Sequence, residues 1–136
     1  MNVNWIAIAS AAAASWLFGA AWYAAFAKRW MAAACIRDSS EDAQGAHPPV
    51  LALAVSLIAQ FIMALILAGV IAHTAKKGVT VTSGALVGAI CWLGFVITSL
   101  ATNNIYLKTR LALTLIDGGH WLGVLLIQGA VLGALL

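Results

Sequence analysis

Four stretches of this chain are almost wholly apolar, and the charged residues gather between them. They cover residues 5–27, 50–72, 81–102 and 111–136, each 22 to 26 residues long. A helix rises about 1.5 Å per residue, so roughly 20 residues cross a hydrocarbon core of about 30 Å. In lipid only helices and closed barrels satisfy every backbone polar group. Barrel strands would alternate apolar and polar residues over about ten positions, a pattern this chain does not show. The pattern predicts an all-α membrane protein: a single domain, residues 1–136, of four transmembrane helices in an up-down bundle. The first stretch is read as a retained helix, not a signal peptide. It has no Lys or Arg ahead of it and exceeds the usual apolar run of about 7–15 residues, and eleven of its 23 residues are alanine.

Composition sharpens the exclusion. Of the 136 residues 64% are hydrophobic and 8% charged, with a mean hydropathy of +1.02. Soluble domains lie near about 45–50% apolar and 25% charged. An ordinary soluble domain, a disordered chain and a disulfide scaffold are therefore excluded. Seven Lys and Arg are too few to line a nucleic-acid groove, so no nucleic-acid partner is expected and the first partner is the lipid bilayer.

Ten of the eleven charges lie between the apolar stretches. Loops one and three hold Lys28, Arg29, Arg37, Lys108 and Arg110; loop two holds Lys76 and Lys77. The positive-inside rule puts loops one and three in the cytoplasm and both termini outside. In the first loop Trp30 and Met31 read as headgroup anchors beside Lys28 and Arg29. Asp38-Ser39-Ser40-Glu41 has capping-box spacing for a short surface helix, and His47-Pro48-Pro49 stops it. Cys35 and Cys91 fall at different depths and form no CxxC pair, so neither a disulfide nor a metal site is expected, and no cofactor is implied.

Small residues four apart mark helix contacts, because lipid tails leave close backbone packing as the means of association. The pairs are Gly84 with Gly88, Gly119 with Gly123, and Gly129 with Gly133, joined by Ser15 with Gly19 and Ala64 with Ala68. So small a bundle buries little of itself, which predicts a homo-oligomer, most simply a dimer.

Asp117 is the one charge inside an apolar stretch, about 9 Å into the membrane counting from residue 111. A carboxylate there costs at least about 2.5–3.5 kcal/mol unless paired, protonated or hydrated. His120 lies three residues on and shares its helix face. Gln128, eleven residues after Asp117, returns to nearly the same angle, and Trp121 lies on this polar stripe. Gln60, Asn103 and the neighbouring Asn104 are polar positions on other helices that could meet it, and Arg29 or Arg110 could reach Asp117. Trp16, Trp92 and Trp121 fall well inside their stretches, where each indole N–H needs an acceptor.

Three segments carry a family resemblance. They are Phe18-Gly-Ala-Ala-Trp22-Tyr23 with Phe26-Ala-Lys28-Arg-Trp30-Met31; Trp92-Leu-Gly94-Phe95-Val-Ile-Thr98 leading to Thr102-Asn103; and Leu115-Ile116-Asp117-Gly-Gly119-His120 with Gly129-Ala-Val-Leu-Gly133. In order and spacing the chain resembles the bacterial membrane family known as domain of unknown function 1761. The resemblance implies a four-helix, multi-pass protein of the inner membrane, with periplasmic termini on the orientation above, and implies no reaction. The chain departs from the family pattern at Ala24-Ala25, in place of a small residue and proline. It departs again at Asp117 and His120, in place of Asn and an aromatic.

The leading functional reading is a transport-like or small-ligand- or lipid-binding protein using a polar site around Asp117, His120, Asn103 and Gln60, with Trp121 and Gln128 beside it. The alternative is a structural or accessory subunit docking a larger membrane complex. An enzyme is the least favoured reading, because Asp and His without a nucleophile or metal partner form a weak signal. The topology is directly testable. A membrane-impermeant maleimide added to intact spheroplasts should leave Cys35 unmodified and should reach it after permeabilisation; labelling before permeabilisation would reverse the orientation.

Overall fold

The computed structural model describes residues 4–34, 50–74 and 78–136. All regular structure among them is helical: α1 (Trp5–Ala33), α2 (Val50–Thr74), α3 (Val81–Cys91), a π-helical turn (Trp92–Val96), α4 (Ile97–Tyr106) and α5 (Leu111–Leu135). α3, the π turn and α4 run on without a break, so the described residues hold four helices long and apolar enough to span a membrane. The capping-box segment at 38–41, Cys35 and His47-Pro48-Pro49 lie outside the described residues.

Local chemistry explains the helix ends. Asn4 caps α1 by accepting from the Ala7 N–H, and its side-chain amide donates 3.0 Å to the Leu135 carbonyl at the far end of α5. Thr80 and Ser83 form a reciprocal capping box at the start of α3, which satisfies two otherwise orphaned donors. α4 ends in a Schellman motif, with Lys108 N–H donating to the Ile105 carbonyl and Thr109 N–H to that of Asn104. Lys108 takes the left-handed position (φ 54°) that glycine usually fills. α1 continues six residues past the apolar stretch, because long basic side chains at Lys28 and Arg29 can snorkel without ending the helix.

α5 touches every other element. α1 and the helix that begins with α3 run against it in the opposite chain direction. Along α1, Asn4 meets Leu135, Ser15 meets Gln128 and Trp22 meets Ile116. Along α3, Gly84 meets Gly129, Gly88 meets Leu125 and Trp92 meets Gly118. Glycine is required at this second contact. A Cβ on Gly84 would run into the Gly129 carbonyl, one on Gly88 into the Leu125 carbonyl, and one on Gly133 into the Thr80 carbonyl. Gly119 and Gly123 turn elsewhere, against the rings of Trp22 and Phe18 of α1. α5 is thus gripped by backbone on one side and by aromatic rings on another.

The small-residue core lies toward the Asn4–Leu135 end, where Ala7, Ile8, Ala11 and Ala12 of α1 pack with Ala64, Leu67, Ala68 and Ile71 of α2 and with Leu125 and Leu132 of α5. The π turn closes with an Ile97 N–H to Trp92 carbonyl bond. It holds one residue more per turn than α-helix, so it rotates α4 by about 100° relative to an unbroken helix.

Backbone contact and open space predict opposite outcomes for one substitution. Gly84→Ala should lower unfolding stability in detergent by about 1–3 kcal/mol, the usual cost of overpacking. Gly69→Ala, where an added Cβ meets nothing within 4 Å, should be neutral or stabilising by up to about 1 kcal/mol through helix propensity. Equal effects in a thermal or denaturant titration would contradict the α3–α5 contact.

Candidate functional site

Ser15, Gln60 and Gln128 meet at the centre of α1, α2 and α5. All three are buried. The Ser15 hydroxyl donates to the Gln60 side-chain carbonyl. The Gln128 amide donates 3.0 Å to Ser15 Oγ and 3.1 Å to the Gln60 backbone carbonyl. One carboxamide therefore ties three helices together without a charge. Gln128 Oε1 is buried and has no hydrogen-bond partner.

Asp117 anchors the other end of the α1–α5 contact. Its Oδ1 accepts from the Tyr23 hydroxyl at 2.7 Å and from the Trp30 indole N–H at 2.9 Å. Both donors are neutral, and both come from α1. Of the partners that could reach Asp117, two aromatic donors of α1 are the ones that bond it. Trp30 is a helical residue turned onto this carboxylate, because α1 extends far enough to carry it there. Trp22 Nε1 donates 3.1 Å to the Ile116 carbonyl, and Trp92 Nε1 donates 2.8 Å to that of Gly118. Three indoles and a phenol therefore converge on the turn of α5 that holds Asp117.

His120 lies between these two polar centres and is only 4% exposed. Its ring stacks near Phe18 (centroids 6.3 Å apart), tilts against Tyr23 (4.7 Å) and meets Trp121 edge-on (4.8 Å). Nδ1 is buried with no hydrogen-bond partner. Gly19 makes room for the ring: a Cβ there would sit 2.8 Å from His120 Nε2 and 3.7 Å from Gln60 Nε2. A groove of about 420 Å³ borders these groups, lined by Trp16, Gly19, Tyr23, Ser56, Gln60, His120 and Trp121, with Ala20 and Leu53 at its exposed edge. Trp16 Nε1 is held 3.0 Å from Ser56 Oγ.

The expected site residues therefore divide. Gln60, His120 and Trp121 line the groove, Gln128 lies behind it with Ser15, and Asp117 joins its rim through Tyr23. Asn103 is exposed on α4 and takes no part. Its neighbour Asn104 is the buried one, donating 2.9 Å to Thr114 Oγ1 of α5. Sequence reasoning had not joined Trp16, Tyr23 and Trp30 to the site. Their signal was available as spacing, since Trp16, Gly19, Tyr23 and Trp30 succeed one another by three, four and seven residues on one face of α1.

The sequence profile of a family described as Protein of unknown function (DUF1761) matches residues 6–133. No curated protein and no solved structure matches the chain.

The Tyr23–Asp117 bond should be measurable as a coupling. Tyr23→Phe and Asp117→Leu, which remove the donor and the acceptor respectively, should each destabilise the bundle. A double-mutant cycle read by unfolding in detergent should return an interaction of about 1.5–3 kcal/mol, as for hydrogen bonds to charged groups. Strict additivity would show that the two side chains do not interact.

Proposed function

The chain belongs to this family of proteins of unknown function, and from that premise we propose that it is a ligand-binding, transport-like protein of the bacterial inner membrane. Its ligand is a small lipophilic molecule with a hydrogen-bonding head, taken into the groove beside His120. The observation that carries this reading is a buried imidazole with an unpartnered ring nitrogen in the wall of a groove. Leaving a buried polar atom unpaired costs about 1–3 kcal/mol, which a bound polar head would offset by drawing the ring toward the groove. The groove falls within the 300–1,000 Å³ typical of small-molecule sites. Its lining combines flat rings with two uncharged polar side chains, Gln60 and Ser56, which suits a planar neutral head better than an ion. The edge at Ala20 and Leu53 faces outward, so the ligand would enter from the bilayer.

Tyr23 supplies the link that a transport cycle would need. It packs on His120 and donates to Asp117, so a ligand that displaces the imidazole would also strain the carboxylate's hydrogen bonds. The antiparallel pairings support an up-down order of spans, and the basic loops support periplasmic termini. Gly69 and Gly94 meet nothing within 4 Å, and the apolar surface around them supports a homodimer. The same surface favours the second reading, an accessory subunit of a larger membrane complex.

One experiment separates the readings. Protein purified in mild detergent is extracted with organic solvent, and its co-purifying lipophilic molecules are identified by mass spectrometry. His120→Phe and Gln60→Leu should each lower the amount of one such molecule at least about tenfold while preserving a folded bundle. Unchanged extracts with an altered oligomeric state would favour the accessory reading and overturn the site.

A further inference from the structure

A second groove, of about 380 Å³, lies between the C-terminal end of α1 and the start of α5. Its floor is apolar, built from Phe26, Ala32, Ala33, Ala112, Leu115 and Ile116, and two arginines, Arg29 and Arg110, line it from opposite helices. Arg29 is a helical residue of α1; Arg110 is the N-cap residue of α5 and makes no side-chain cap bond to that helix. Neither arginine touches the ligand groove described above, and the carboxylate of Asp117 is engaged by Tyr23 and Trp30.

We propose that this groove is a binding site for an anionic phospholipid, its phosphate held between Arg29 and Arg110 and one acyl chain lying along Phe26, Leu115 and Ile116. Two features of the groove select this occupant. Guanidinium groups arriving from two helices suit a phosphate, because each offers a planar fork of donors. A soluble phosphate ester would gain nothing from the apolar floor, whereas a lipid fills it with a chain. Basic pockets between membrane helices on the cytoplasmic side are where anionic headgroups settle. The position agrees, because on the orientation read from the basic loops this end of α1 and α5 faces the cytoplasm, with Lys28 next to Arg29 and Lys108 two residues before Arg110 in sequence. The lipid would bridge α1 and α5 at the end beyond the hydrogen bonds that Tyr23 and Trp30 make to Asp117.

The site is tested by native mass spectrometry of the full chain released from nanodiscs holding phosphatidylglycerol and phosphatidylcholine with the same acyl chains. The wild-type protein should retain phosphatidylglycerol selectively. Arg29→Gln and Arg110→Gln should each cut that selectivity roughly fivefold, and Lys108→Gln, outside the groove, should leave it near the wild-type value. Equal retention of the two lipids by the wild-type protein would overturn the proposal even if no variant folds. An equal loss in Lys108→Gln would also overturn it, by showing diffuse surface attraction. Displacement of the lipid by millimolar glycerol phosphate would assign the arginines to a free phosphate ester and overturn the lipid assignment. None of these outcomes bears on the groove beside His120.

Discussion

A polar group in hydrocarbon must find its partner within the protein, and here that search runs through α5, which satisfies most of its polar groups and leaves Gln128 Oε1 and His120 Nδ1 unpaired. Gln128 binds α1 and α2 at one level, and Asp117 collects two donors from α1 at another. The Gly118 carbonyl receives the Trp92 indole from the π turn, and Thr114 receives Asn104 from α4. Each level fixes the rotation of α5 against a different neighbour. Sliding α5 by one residue would turn every one of these groups by about 100°. Apolar contact alone does not set register in this way, because lipid tails compete for it on equal terms.

Glycine and aromatic residues divide the remaining task. Where α5 meets α3, Gly84, Gly88, Gly129 and Gly133 let backbone lie on backbone, and carbonyl oxygens occupy the space that a Cβ would take. Where α5 meets α1 beyond Gln128, Phe18 and Trp22 cover Gly123 and Gly119. The same helix thus has one neighbour near and another held off by rings. α1 starts against α5 through alanines and, from Phe18 to Trp30, meets it through aromatic rings.

Much of this was legible from the chain, and the parts that were not share one cause. Charge placement gave the four spans, because a charge in hydrocarbon costs more than any local preference can offset. The solitary carboxylate at Asp117 was visible for the same reason. Its partners were not, since Tyr23 and Trp30 lie 94 and 87 residues away, and spacing within one helix says nothing about which helix stands opposite. Asn103 and Asn104 show a subtler failure. In an unbroken α-helix, residue 103 falls eleven positions after Trp92 and returns to nearly its angle. The π turn inserts one residue into that count, so Asn104 takes the face toward α5 and Asn103 turns outward. Nothing in Trp92-Leu93-Gly94-Phe95-Val96 announces a π turn by composition. The side-chain bonds that reward it lie on another helix.

The division between a small-residue end and an aromatic end also accounts for where polar grooves form. Alanines and glycines bring backbones close, and the groove left beside the α1 alanines, about 360 Å³ between Ala9, Ala12, Ala13 and Leu57, Ile58, Phe61, is apolar. Trp16, Phe18, Trp22, Tyr23, Phe26 and Trp30 are large, stiff and unequal, and each is further constrained by the acceptor or ring it must reach. Rings aimed by hydrogen bonds cannot also be aimed to fill space, so gaps remain beside them. The grooves at His120 and at Arg29 both lie along this half of α1. The open volume follows from satisfying indole and carboxylate groups in a membrane. It also places that volume beside the helix turn where polar chemistry is concentrated.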